Sequence, residues 1–247
     1  MIDLHCHILP GVDDGAASDE ESLAMARLAV ESGVTAIAAT PHCNLPGGPR
    51  NYADDALRER FLHLHRLLAR AGIPLRLYTG AEVYATPEVP ALLRDRRLLT
   101  LGGSRCLLIE FGFDEPRSFV ERLLGAVADE GLTPVVAHPE RYYFVQDDPA
   151  LLLDWAARGW AIQLNKGSLF GLFGRGAGRA AQWCMREGCV HLIGSDAHSP
   201  YRRTTRLSDV RAHVARWSGP EVAALLLEEN PAAILADRPI VSVREAF

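Results

Sequence analysis

Short apolar runs recur along this chain, and most are followed by a stretch of helical period. Ile2 and Leu4 alternate with Asp3 and His5, the period-two signature of a strand. Further apolar runs cover Thr35–Thr40, Leu75–Gly80, Cys106–Ile109, Thr133–Ala137, Ala161–Leu164 and Val190–Gly194, making seven. Between them, helices are expected over Asp19–Ser32, Ala53–Ala71, Phe119–Glu130, Leu151–Arg158 and Ala177–Glu187. Ser18 and Glu21 have capping-box spacing at the start of the first helix. Thr86–Leu99 reads as irregular or short helix. The tail from Leu207 to Leu235 reads as helical, with breaks at Ser218–Pro220 and Asn230–Pro231. Repeated strand–helix units imply a parallel sheet with helices outside. In 247 residues the natural solution is one α/β domain over 1–247. That solution is a TIM-like (β/α)7 barrel with a helical C-terminal tail, and a doubly wound open sheet is the alternative.

The strand ends carry the chemistry. His5 and His7 end the first strand, His42 follows the second and Glu82 the third. Glu110 ends the fourth, His138 follows the fifth, and Asp196 and His198 follow the seventh. Asp14 sits in the Asp13-Asp14-Gly15 turn after the first. Residues two apart on a strand share a side, so His5 and His7 project together and Cys6 points away. In a parallel barrel all strands finish on one face, where active sites are built. Nine metal-competent side chains, five His and four carboxylates, should therefore meet in one bowl. The remaining histidines fall outside this set: His63 and His65, two apart on a helix, read as solvated surface residues, and His191 at the far end of a strand and His213 in the tail read as structural.

Nine donors exceed the coordination of one ion, so two or three divalent ions sharing a bridging carboxylate are expected. Nitrogen and oxygen donors without thiolate suit manganese, iron or zinc. Three such ions against four carboxylates leave a local charge of about +2, which attracts phosphate esters and favours a metal-bound hydroxide near neutral pH. Arg141, in HPER, and Arg202, Arg203 and Arg206 after His198 are candidate phosphate forks. His42-Cys43 with Arg50 resembles the loop of cysteine-based phosphatases, but six residues separate Cys43 from Arg50, too many for that phosphate cradle.

Net charge is −5, so no global basic field favours nucleic acid. Met1 leads directly into the first strand, so no signal peptide is expected, and no apolar run approaches bilayer length. Five cysteines in no framework spacing suggest reduced packing thiols and a cytoplasmic location.

With these residues in view, the chain resembles the polymerase and histidinol phosphatase superfamily. Within it, the resemblance is to bacterial metal-dependent protein-tyrosine phosphatases of the CpsB/YwqE type. The matching segments are DLHCHILPGVDDGA (3–16), TPHC (40–43), GAE (80–82), IEF (109–111), AHPERY (137–142), QLNKGSLFG (163–171) and GSDAHS (194–199). The resemblance implies a distorted seven-stranded barrel and three divalent ions, manganese first, with iron, cobalt or zinc as alternatives. One ion would take His5, His7, Glu82 and Asp196; a second Glu82, Glu110 and His138; the third Asp14, His42 and His198. Arg141 and Arg203 fall at the positions that hold substrate phosphate, with Arg202 the alternative for the second. The implied substrate is phosphotyrosine in the tail of a bacterial tyrosine kinase controlling capsule or exopolysaccharide assembly, which requires an exposed bowl. Two rivals remain at the level of the sequence: a small-molecule phosphatase such as histidinol-phosphatase, and a non-catalytic metal-dependent phosphate-binding module.

Overall fold

A computed structural model describes residues 1–247. Its strands are β1 (Ile2–Cys6), β2 (Ala36–Ala39), β3 (His42–Cys43), β4 (Arg76–Thr79), β5 (Glu82–Tyr84), β6 (Cys106–Glu110), β7 (Thr133–Ala137), β8 (Ala161–Asn165) and β9 (Leu192–Gly194). All pair in parallel, in the orders β1-β2-β4 and β3-β5-β6-β7-β8-β9. The second and third expected strands are each split in two. Pro41 has no amide to give the ladder, and Gly80 interrupts the other run, so β2/β3 and β4/β5 are broken strands crossing from one sheet to the other. His42 and Glu82 therefore lie within paired segments, facing each other in register, instead of beyond strand tips. The ring closes through a Cys6–Ala197 bridge, with the His7 amide donating to Ala197 O at 2.9 Å. The architecture is a distorted seven-stranded barrel.

Helices cover the outside: α1 (Asp19–Glu31), α2 (Asp55–Arg70), α3 (Val89–Arg94), α4 (Arg117–Asp129), α5 (Tyr143–Asp147), α6 (Leu151–Ala157), α7 (Lys166–Leu169) and α8 (Gly174–Glu187). Ser18 caps α1 as expected, but Glu21 reaches the Ala17 amide, one residue short of a true capping box. α2 buries Leu57, Phe61, Leu64 and Leu68, one face at helical spacing. The tail forms α9 (Ser208–Ser218), α10 (Pro220–Ala224), a π turn (Leu225–Glu229), α11 (Asn230–Leu235) and α12 (Val243–Ala246). The break expected at Asn230–Pro231 is absorbed by the π turn, because Pro231 sits in the first turn of α11, where no amide is needed. A core of 53 residues lies between strands and helices, and a second of 12 fills the barrel. No helix is long and apolar enough to cross a membrane, and all five cysteines are free and buried.

Candidate metal centre

The first strand aims its histidines by means of a bulge. Ile2 pairs with Ala36 and Asp3 with Ile37, but Cys6 pairs with Ala39, one residue out of step. Ile2 and Leu4 belong to the barrel interior, whereas Cys6 belongs to the outer core. The slip rotates the strand between them and turns His5 and His7 into the barrel mouth; regular alternation from Leu4 would have turned both outward. The following turn closes tightly: a Cβ on Gly15 would lie 2.2 Å from His7 O. Three other residues at the mouth, His138, Asp196 and Arg203, adopt left-handed φ of 37°, 50° and 49°. Such backbone is strained for non-glycine residues and concentrates at functional sites.

All nine expected donors meet at this mouth. Glu82 is central: its Oε1 lies 2.8 Å from His138 Nε2 and 3.1 Å from His5 Nε2, and its Oε2 lies 3.2 Å from both His7 Nε2 and His42 Nδ1. Asp196 Oδ1 lies 3.5 Å from His5 Nε2 and 3.6 Å from both His7 Nε2 and His198 Nδ1. Asp14 Oδ1 lies 3.4 Å from His198 Nε2 and 3.5 Å from His42 Nε2. Glu110 Oε1 is 2.9 Å from His42 Nδ1. Three overlapping groups have the spacing to hold a metal ion: His5, His7, Glu82 and Asp196; His7, Asp14, His42 and His198; and His42, Glu82 and Glu110. In the last group the family resemblance implies His138 where the geometry brings His42. His138 Nε2 also reaches both carboxylates, at 2.8 Å from Glu82 and 3.8 Å from Glu110.

The donors suit cations. His42 Nδ1, Glu82 Oε2, Asp196 Oδ1 and His198 Nε2 are buried and have no partner of hydrogen-bond geometry. Buried polar atoms left unpaired are costly, so such a cluster calls for a ligand. The far sides of the rings are tied down. His5 Nδ1 bonds Gln163 Oε1 at 2.7 Å, His7 Nδ1 bonds Asp13 Oδ2 at 2.8 Å, and His198 Nδ1 bonds Asp196 O at 3.1 Å. Each bond fixes the proton on Nδ1 and turns the Nε2 lone pair inward. Asp196 is divided in the same way: Asn165 Nδ2 donates to Oδ2 at 2.5 Å, and Oδ1 is left for the centre.

The carboxylates of the cluster favour protons on the histidines facing them. Burial opposes charge on His5, but Glu82 and Asp196 outweigh it and raise its pKa to about 9. His7 reaches about 9 against the same burial, through Asp13 and Glu82, and His42 reaches about 9 through Glu110 and Glu82. His198 goes down, from burial and the neighbouring His7. Asp14 is held well below the usual carboxylate range, first by the His198 ring, whose Nε2 lies 3.4 Å from its Oδ1.

Two arginines rim the centre. The Arg203 guanidinium pairs with Asp196 Oδ2, and its Nε donates to Asp196 O at 3.1 Å. Arg141 Nη1 lies 3.6 Å from the same Oδ2, its guanidinium 4.3 Å from the rings of both Phe113 and Phe173. Arg202, the alternative to Arg203, is exposed and makes only backbone bonds, to Ser199. The mouth is open: the Asp14 side chain is 67% exposed and Arg203 30%, while those of His5 and His7 are 0%.

Sequence reasoning missed the residues behind the donors. Asp13, Gln163 and Asn165 stood inside segments already singled out, but only the fold reveals their partners. Of the four remaining histidines, His63 is not merely solvated: its Nε2 bonds Asp19 Oδ2 at 2.8 Å, joining α2 to α1.

The family model described as "Capsular polysaccharide synthesis, CpsB/CapC" matches residues 1–236. The tyrosine-protein phosphatase YwqE of Bacillus subtilis is 35% identical over 97% of this chain and 93% of its own length. The tyrosine-protein phosphatase CpsB of Streptococcus pneumoniae is 29% identical over 97% of this chain and 100% of its own. A crystal structure from work on YwqE and CpsB, described as unique metal-dependent tyrosine phosphatases, superposes with a TM-score of 0.91 over 99% of this chain and 98% of its own, at 35% identity. Full-length coverage at this level of identity, on a barrel that brings all nine donors together, leads to one conclusion: this chain belongs to the CpsB/CapC family of capsular polysaccharide synthesis.

Proposed function

We propose that this chain is a metal-dependent protein-tyrosine phosphatase, a single catalytic domain over 1–247 acting in the cytoplasm. Its partner is a phosphotyrosine protein, the C-terminal tail of a bacterial tyrosine kinase that controls capsule or exopolysaccharide assembly. The observation that carries this reading is the meeting of nine nitrogen and oxygen donors, several buried and unpaired, beside two arginines at an open mouth. Nitrogen and oxygen donors without thiolate suit divalent manganese, iron or zinc; the family resemblance implies three such ions and puts manganese first. His5, His7, Glu82 and Asp196 would hold one; Glu82, Glu110 and His138 a second; Asp14, His42 and His198 the third. When bound, such ions make water a nucleophile near neutral pH and neutralise phosphate charge. Arg141 and Arg203 grip the non-reacting phosphate oxygens, their forks matching phosphate geometry. Gln163, Asp13 and Asn165 keep donor lone pairs turned inward. The leaving phenol has a pKa of about 10, far easier to expel than an aliphatic alkoxide. The named relatives' activity and the openness of the mouth favour a protein substrate over a small one.

The test is turnover of a phosphotyrosine peptide by chelator-stripped protein, with Mn²⁺, Fe²⁺, Co²⁺, Zn²⁺ or Mg²⁺ restored one at a time and histidinol phosphate run in parallel. Metal-restored peptide hydrolysis that survives thiol alkylation is expected. Full activity in the stripped protein, or in His42→Ala, would refute the mechanism; activity on histidinol phosphate alone would change the substrate.

A further inference from the structure

Beside the metal mouth runs a groove of about 630 Å³. One wall is the turn after α7, with Phe170, Leu172 and Phe173; the other is the loop after β9, with Tyr201, Arg202 and Arg203. Phe173 and Arg203 belong to both groove and mouth, because the Phe173 ring also lies 4.3 Å from the Arg141 guanidinium and 5.6 Å from that of Arg203. The groove thus begins where the two phosphate-facing arginines end.

Its lining is unusual for a free surface. Tyr201 is 80% exposed, Leu172 63% and Phe170 41%, and these are three of the eight large apolar side chains exposed anywhere on the chain. The apolar track continues outward: the Phe170 ring lies 5.4 Å from His213, which lies 5.6 Å from Trp217, itself 55% exposed. Exposed apolar residues scattered singly need no explanation, but a contiguous set leading from a reactive centre marks an interaction surface. The groove's charge is positive. Lys166 is taken up by Thr204 O at 2.9 Å and by Asp209 at 3.5 Å, whereas Arg202 makes no ion pair. On a chain of net charge −5, this local sign stands out.

We propose that the groove is the docking site for the segment flanking the phosphotyrosine, and that it selects acidic residues and an adjacent large apolar side chain. This rests on the phosphatase reading above and adds to it a basis for substrate choice. Arg202 meets the acidic flank, and Leu172, Phe170 and Tyr201 cover the apolar side chain. A substrate that lacks flanks leaves Arg202, Leu172, Phe170 and Tyr201 uncontacted.

The experiment compares three substrates: p-nitrophenyl phosphate, a phosphopeptide with Glu at both preceding positions and Leu following the phosphotyrosine, and the same peptide with Gly and Ser flanks. Wild-type protein is set against Leu172→Ser/Tyr201→Ser and against Arg202→Glu, all at exposed positions. A roughly tenfold rise in KM for the Glu/Leu peptide is expected in both variants, with kcat and the other two substrates unchanged. Equal KM values for all three substrates in wild type and variants would overturn the groove. Binding of a labelled Glu/Leu peptide carrying a non-hydrolysable phosphonate, measured by anisotropy, separates the two readings. Variant-sensitive binding without turnover of any substrate sinks the phosphatase reading and supports the groove. A drop in solution mass on Leu172→Ser/Tyr201→Ser, with peptide binding intact, assigns the surface to a second copy of this chain and overturns the proposal.

Discussion

At the N-terminal end of the barrel His191 is buried, and its Nδ1 accepts a hydrogen bond from the Ile162 amide at 3.0 Å. Beside it Asn230 donates to His191 O at 2.7 Å and Val241 O at 2.6 Å, and accepts from the Val241 amide at 3.3 Å. At the C-terminal end of the same sheet, five histidines and four carboxylates crowd together, and several of their buried atoms have no partner. The residue types are alike, but the fates of their polar atoms differ. Where these hydrogen bonds close on themselves, the polar groups stabilise the fold and pin the tail to the barrel. Where they remain open and convergent, the structure tolerates local cost to keep donors ready for a ligand.

The largest effect should come from the centre of the open end. Glu82→Gln removes the charge shared between neighbouring donor groups, and kcat should fall on the order of 10³-fold, with fewer ions per chain by elemental analysis. Preserved metal content and rate would mean that Glu82 is a structural partner only. Next come the two neighbouring arginines: Arg203→Ala should cost on the order of 10²-fold in kcat/KM on p-nitrophenyl phosphate, and Arg202→Ala less than about threefold, since of these two Arg203 alone touches Asp196. A smaller change tests support from behind. Gln163→Leu frees His5 Nδ1 and should weaken metal affinity about 10-fold to 100-fold without abolishing the fold, as read by competition with a chelating dye. At the closed end, Asn230→Ala should lower stability by about 2–3 kcal/mol in urea titrations, through three lost bonds, while activity per folded molecule holds.

The carboxylate-paired histidines of the open end and the buried His191 of the closed end titrate in opposite senses. His5, His7 and His42 in the metal-free protein have pKa values of about 9, above the ordinary value of about 6.5. Their stabilising contribution is full below about 6.5 and is lost as pH rises through about 9. Burial without a strong charge partner takes His191 down to about 4, so its contribution is full above about 6.5 and is lost as pH falls towards 4. The urea midpoint of chelated protein should therefore decline on both sides of neutrality, and Mn²⁺ should remove the alkaline decline, because ions replace those protons. A flat alkaline limb without metal would contradict the donor electrostatics.

Much of this was legible in the chain. Strand and helix identity follow from periods of two and 3.6 residues, and metal-competent side chains stood at the strand ends because a parallel barrel gathers those ends. The splitting of the second and third strands was not foreseen, although Pro41 and Gly80 were its local cause. The bulge in β1 left no local signature at all. It depends on pairing with a strand some thirty residues away, Cys6 against Ala39.

The sequence by itself determined the βα order, the inventory of nine donors, the reduced cysteines and a family resemblance spanning the chain. These depend on residue type and near-neighbour spacing. Only the tertiary structure decided that His5 leans on Gln163, 158 residues away, that Arg203 and not Arg202 meets Asp196, and that Phe173 joins the metal mouth to an apolar groove. Those outcomes turn on where a left-handed residue or a bulge aims a side chain after distant segments have packed, and no local period encodes that.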